Sequence, residues 1–367
     1  LENIFSVSTE ALVNPVPTPD AKAPTWQKAV KPYQHADLRR SLWQMLNSIA
    51  PYFIFSYLAY RALEVSYLLT LVFVVLAAGF VVRCFIIFHD CGHGSFFKSR
   101  KANDFVGTLM GFITYTPYFA WRHAHAIHHS TSGDLDHRGI GDVWTLTYEE
   151  YQKMGLLGKI GYRVYRNPLM TFFVGPTLEF VFINRLPNVN TSDKARDKNS
   201  VHWTSLVVFL NMVVIGWAIG LDNYLKVQIP IIAITSSIGV WLFYVQHQFE
   251  NTYWERHENW DFADAAMQGS SYYKLPKIFQ WFSGNIGFHH IHHLSPRIPN
   301  YKLEECHTEN EIFQEVVVLT WATSLKSLRL RLWDENHGKM IGYHHDHEHA
   351  HDDKEEMEIT SMSSAAV

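Results

Sequence analysis

The chain has 367 residues, of which 47% are hydrophobic, 15% aromatic and only 18% charged, below the roughly 25% charge of an average soluble domain. That excludes disorder throughout and points to lipid contact, while 31 basic against 35 acidic residues, a net charge of -4, gives no global electrostatic reason to expect nucleic acid as a partner. Three widely spaced cysteines, Cys84, Cys91 and Cys306, argue against a disulfide framework or a thiolate zinc site. The anomaly is 22 histidines, the side chain that is the commonest metal ligand and the proton carrier near neutral pH. A mean hydropathy of -0.09 averages apolar spans with polar segments.

Residues 1–36 contain Pro15, Pro17, Pro19, Pro24 and Pro32 among small and polar residues and read as a disordered tail without a cleavable signal peptide. Residues 42–63 are mostly apolar or aromatic, interrupted by Asn47 and Pro51, and suffice to cross about 30 Å of hydrocarbon at about 1.5 Å per residue. Residues 65–88 form the clearest span, with only Arg83 near its end, where a long side chain can snorkel. The two runs predict a hairpin. Two shorter stretches, 105–121 and 168–182, predict helices lying in the interface or beneath a polar domain, with re-entrant segments as the alternative. A second hairpin is expected from 203–221 and 227–246, turning around Asp222 and Asn223.

Lys22, Lys28, Lys31, Arg39, Arg40, Lys98, Arg100 and Lys101 flank the ends that this topology puts on one side, whereas the hairpin turns hold Arg61 and Lys226. The positive-inside rule makes that side cytoplasmic, with both termini on it. From His344 the chain reads HHDHEHAHDDKEEMEI, which predicts a solvated, disordered tail over 341–367, with metal scavenging as its alternative role. The expected fold is therefore all-α and integral to the membrane. Four transmembrane helices in two hairpins, with a cytoplasmic helical domain holding a His-rich di-metal site, make up one membrane domain over 37–340, between the two tails.

Three dense histidine groups remain. His89 and His93 stand at i and i+4 directly after the second span; His125, His128 and His129 stand at i, i+3 and i+4; His289, His292 and His293 repeat that spacing. On a helix each group shares one face. His247, at the end of the fourth span, is the ninth. An even number of crossings separates the groups, so all fall on one side of the membrane, unlike a transporter's midplane ligands. Nine imidazoles exceed the needs of one metal, which takes about four, so two metals are expected. Imidazole suits zinc, copper, iron or nickel. Outside the tail no HExxH helix is present, and Glu304 with His307 gives one Glu-x-x-His spacing, so neither a zinc protease nor a soluble carboxylate di-iron bundle fits. Neutral ligands leave the cations uncompensated, which favours anionic oxygen ligands and oxygen activation over hydrolysis.

The segments HDCGHGSFF from 89, WRHAHAIHH from 121, TSGDLD to 136 and GFHHIHHLSPRIPNY from 287 resemble the membrane fatty acid desaturase family, reading like bacterial acyl-lipid desaturases of the Δ5, Δ12 or ω-6 type. The likeness runs from about Leu42 to Leu332. It implies two iron ions bound by the three boxes and His247 on the cytoplasmic side, and a cis double bond made in an acyl chain, lipid-linked by this likeness, from O2 and two electrons. It also implies a separate ferredoxin-like or cytochrome b5-like donor, for which Lys98, Arg100 and Lys101 offer a basic approach or simply a membrane anchor.

Some animal relatives place an Asn four residues before the extra histidine to hold a metal-bound water; here Phe243 stands there. Asp90, Asp134, Asp136 and Asn285 are candidate partners for the imidazoles. His123 and His290 lie off the ligand spacing. Trp144, Tyr148, Phe112 and Tyr115 are channel candidates, with core or interface packing as the alternative. A hydroxylase or ketolase of the same type is the rival enzyme. A His-rich metal transporter is the rival from another class, against which stand spans whose polar residues are little besides Asn47, Glu64, Arg83 and Asn211.

Overall fold

The computed structural model describes residues 25–187 and 192–343; the greater part of both expected tails, 1–24 and 344–367, lies outside them. Six long helices dominate: α1 (Leu38–Ala62), α2 (Tyr67–His93), α3 (Arg100–Ile113), α4 (Tyr118–Thr131), α5 (Ala195–Ile219) and α6 (Leu221–His247). A short helix, α7 (His289–Leu294), carries the third histidine group. The Asp37 side chain starts α1 by accepting from the backbone N–H groups of Arg39 and Arg40, which satisfies donors that a helix start leaves unpaired. α2 stops at Gly94, whose φ of 73° is the left-handed conformation that glycine adopts without a Cβ penalty.

Three helices, α2, α5 and α6, are long and apolar enough to cross a membrane. α1 has 25 residues, but Arg39, Arg40, Gln44, Asn47 and Arg61 keep it more polar; it still exposes Trp43, Leu46, Phe53, Ile54 and Tyr57. α5 exposes Trp203, Phe209, Val214 and Trp217. Apolar surface on this scale marks contact with something other than water. Val74, Ala77, Ala78 and Val81 of α2 pack against Tyr52 and Ala59 of α1 and Val227 and Ile231 of α6. The small residues of α2 let these helices approach closely, as packing between membrane helices requires.

Element boundaries differ from the sequence expectation where backbone chemistry intervenes. The break between α5 and α6 falls at Gly220, φ 90°, so Asp222 and Asn223 lie inside α6. The stretch 105–121 breaks into α3 and α4 because Tyr115 takes φ 57° and Pro117 precedes the first turn of α4. The stretch 168–182 is a π-helical turn, Met170–Val174, followed by a helix, Gly175–Val181. Residues 25–36, expected in the tail, are structured from Thr25. A helix, Thr25–Val30, and the turn after it seat Val30 and Tyr33 against Ile291, Leu294 and Leu303, burying apolar side chains that the prolines of this segment obscured.

The fold is mostly helical but not purely so. β1 (Leu146–Thr147) pairs parallel with β4 (Leu332–Asp334), which pairs antiparallel with β5 (Lys339–Ile341); β2 (Tyr272–Lys274) pairs parallel with β3 (Val318–Thr320). Strands of two or three residues carry no readable period. They fix the loops on the histidine side of the helices. The Tyr273 N–H donates to Gly287 O at 2.8 Å, placing the third histidine group against β2.

Gly287 has no room for a side chain: a Cβ there would stand 2.4 Å from the Tyr273 carbonyl oxygen. Gly287→Val is therefore expected to displace α7 and lower stability by about 1–3 kcal/mol, read as an earlier melting transition of the detergent-solubilised protein.

Candidate metal centre

Each histidine group sits where its backbone period puts it on one face. His89 and His93 end α2, His125, His128 and His129 fill the last two turns of α4, His247 is the final residue of α6, and His289, His292 and His293 lie on α7. All nine converge, but they do not sort by box. His89, His93, His125, His129 and His292 form one group; His128, His247, His289 and His293 form the other. Within the first, Nε2 atoms lie 3.0 Å apart for His93 and His125, 3.1 Å for His125 and His129, and 3.0 Å for His129 and His292. Within the second, His247 and His289 stand 2.9 Å apart and His128 and His293 3.3 Å.

These spacings fit metal ligation. Metal–imidazole bonds of about 2.0–2.1 Å set neighbouring ligand nitrogens roughly 3.0–3.4 Å apart. A hydrogen bond between two ring nitrogens needs a proton on one of them, and a neutral imidazole has one proton. The other ring nitrogens show where that proton goes. His89 Nδ1 faces the Asp90 carboxylate at 3.3 Å, His247 Nδ1 faces the Gly269 carbonyl at 3.2 Å, and His128 Nδ1 bonds Asp142. A proton donated from Nδ1 leaves Nε2 bare and aimed inward, the arrangement that metal-bound histidines adopt. Burial, reinforced by neighbouring imidazoles, holds His125, His129, His289, His292 and His293 well below the usual histidine pKa, which keeps them in the neutral, ligating form. The donor set fits a metal centre, and these nine side chains are the ones placed to hold it.

The candidate partners divide. Asp90 lies beside His89 and also accepts from the Asn300 backbone and side chain at 2.7 and 2.8 Å. Asp134 and Asp136 turn away from the nine, the first to His137 and His257 and the second to Arg256. Asn285 accepts from Gln280 and donates to Asn300 O, supporting a turn in which its own φ is 59°. Asp142, which the sequence reading did not select, is the carboxylate on His128. It reaches α4 because Gly141, φ 73°, lies so close that a Cβ would stand 3.0 Å from the Ala124 carbonyl; the glycine followed by an acid was the available signal. His290 bonds the Phe313 carbonyl at 3.1 Å and faces away from the cluster.

Phe243 packs on His128 and His247, with ring centroids 5.0 and 5.1 Å away. On the other side, His93 and His125 border a cavity of about 340 Å³ that Phe119, Trp121, Arg122, Lys194 and Arg196 help to line. Trp121 stacks on His125 at 4.2 Å. Of the four aromatic channel candidates, Tyr115 bonds Tyr224 at 2.8 Å, and Trp144 packs on Tyr162 and Tyr165.

Asp142→Asn keeps the shape at His128 but removes the charge that orients its ring. The expected outcome is a roughly 10–100-fold loss of metal affinity, measured as metal retained by the purified protein against a competing chelator.

Comparison with known proteins gives the same direction. The family model described as fatty acid desaturase matches residues 66–324. A fatty acid desaturase of Bacillus subtilis is 46% identical over 316 residues, 86% of this chain and 89% of the relative. The sn-1 oleoyl-lipid 12-desaturase of Synechocystis sp. is 28% identical over 243 residues, 61% of this chain and 63% of the relative. The sn-1 acyl-lipid omega-3 desaturase (ferredoxin) of Nostoc sp. is 30% identical over 239 residues, 60% and 61% of the two chains. With a family match over most of its length, a near-full-length relative and a buried imidazole cluster, the chain is an enzyme of the fatty acid desaturase family.

Proposed function

We propose that this enzyme introduces a cis double bond into a lipid-linked acyl chain, using O2 and two electrons at a di-iron centre. His89, His93, His125, His129 and His292 would hold one iron, and His128, His247, His289 and His293 the other. The observation that carries this reading is the presence of two adjoining nitrogen-only groups, one of five and one of four, rather than a single oversized site. The printed names of the Synechocystis and Nostoc relatives, an oleoyl-lipid and an acyl-lipid desaturase with ferredoxin, support lipid-linked substrate and a separate ferredoxin-like donor, with a cytochrome b5-like protein filling the same role. Lys98, Arg100 and Lys101 are exposed and offer that donor a basic approach.

The proposed arrangement in the membrane is four spans in two hairpins, α1 with α2 and α5 with α6. The histidine groups and both termini lie on the cytoplasmic side, and the desaturase domain occupies 37–340 between the tails. Iron held by these histidines would supply oxygen activation; overall, two hydrogens leave adjacent methylenes and, with O2, two electrons from the donor and two protons, become two waters as the alkene forms. The chain's own residues do the rest. Asp90, Asp142 and the Gly269 carbonyl hold three rings in the tautomer with a bare Nε2. Phe243 and Trp121 keep water from the faces of His128, His247 and His125. The cavity beside His93 and His125 receives the acyl chain, with Lys194, Arg196 and Asp197 giving its lining a charged, polar stretch suited to a head group. Methylenes along a chain are chemically alike, so position is set by how far the chain reaches into this space.

The test is gas chromatography–mass spectrometry of total fatty acids from a host expressing the chain with a ferredoxin system. A new unsaturated acyl chain is expected, and hydroxylated chains in its place would move the assignment to a hydroxylase. Changing any one of the nine histidines to Ala is expected to abolish product while membrane insertion persists. Activity retained in several of these variants would sink the ligand assignment.

A further inference from the structure

A third cluster of metal-binding side chains lies outside both histidine groups. Asp134, His137 and His257 bring their donor atoms together, with Asp134 Oδ2 at 2.7 Å from Nδ1 of His137 and at 2.7 Å from Nδ1 of His257. The Asp134 side chain is 3% exposed, against 28% for His137 and 56% for His257. One oxygen therefore serves both rings, while its partner Oδ1 accepts the Asp136 N–H at 3.0 Å. We propose that these three residues form a separate site for one divalent first-row cation, with zinc the best fit. Two imidazoles and a carboxylate with water in the open fourth position make a common zinc ligand set. The two part-exposed rings leave a path for entry.

The two loops that carry these residues are tied to each other, and an ion would take the place of the protons that the two rings share with Asp134 Oδ2. Leu135 N–H donates to Glu255 O and Glu255 N–H to Gly133 O, both at 2.9 Å, and Trp260 Nε1 donates to Ser132 O at 3.0 Å. Arg256 pairs with Asp136 and Glu335, so the guanidinium beside the site is already neutralised. An ion here would join the turn that follows α4 to the loop that follows α6. Those helices carry His125, His128, His129 and His247. The role is a surface staple beside the interior centre, and it does not depend on which metals that centre holds.

Iron-loaded, full-length protein in detergent is equilibrated with Zn2+, desalted, and its zinc and iron are counted by inductively coupled plasma mass spectrometry. Two variants are compared with the wild type: His137→Ala/His257→Ala, and His257→Gln, which changes one part-exposed ring. The His-rich stretch from His344 is present in all three and cancels in the difference. The expected result is one zinc equivalent fewer in both variants at equal iron, and a zinc-dependent rise in melting temperature seen only in the wild type, since only binding to the folded state stabilises it. Equal zinc in all three proteins, with the same response to heat, overturns the site. A zinc difference without bound iron would leave this site standing and remove the di-iron reading instead.

Discussion

Nine imidazoles are gathered in the interior, and several face one another ring nitrogen to ring nitrogen. Seven are buried outright, and the two part-exposed ones, His93 and His125, border the cavity. A neutral ring offers one proton, yet His129 Nε2 stands about equally close to His125 and His292, and its single proton or lone pair cannot serve both. Buried polar atoms without partners are costly. A cation between the nitrogens removes that cost, and this requirement explains the rest of the architecture: long helices to bring rigid ends together, and a loop layer to fix the angle of each ring.

The helices alone would not give that angle. His247 could rotate with the end of α6 were it not tied there. The Gln246 side chain donates to Ile286 O at 2.9 Å, and the Ser271 N–H donates to Gln246 O at 3.0 Å. Arg166, from the segment between α4 and α5, is 1% exposed and donates to Trp144 O, Thr145, Tyr244, Gln248 and Leu330 O. No carboxylate is among these partners. The guanidinium acts as a planar multi-donor that joins the segment after α4, the end of α6 and the segment before β4. Asn300 does the corresponding work on the opposite side by donating twice to Asp90. Buried polar groups whose partners lie on several separate segments specify one arrangement where apolar packing would tolerate several.

The sequence exposed what repeats and hid what folds back. Histidines at i, i+3 and i+4 mark a helical face whether or not the helix is known, so His125, His128, His129, His289, His292 and His293 were legible from spacing. Their sorting was not. His129 joins the box-one pair while its neighbour His128 faces His247, because adjacent helical positions point about 100° apart. Asp142 and Arg166 were invisible for a related reason. Each acts through a loop whose path depends on tertiary packing, and neither belongs to a periodic pattern. Asp134 and Asp136 drew notice by lying near a box in the chain, yet the turn after α4 carries them to His257 and Arg256. The helix α1 was legible as an apolar run, but its start, and the break between α5 and α6, were set by a cap at Asp37 and a positive-φ glycine at Gly220.

The two histidine groups are chemically alike and spatially unlike, and that asymmetry gives the centre a direction. The group of five borders the cavity through His93 and His125, with Trp121 flat against His125 and the cationic side chains of Lys194 and Arg196 farther along the lining. The group of four has Phe243 across two of its rings and a carboxylate, Asp142, behind His128. An aromatic ring against one side excludes a chain-like ligand there, while the open space on the other admits one. The acyl chain of the proposed reaction has its larger space on the side of the group of five. A preferred side of approach is what separates one methylene from the next along a chain whose bonds offer no chemical distinction.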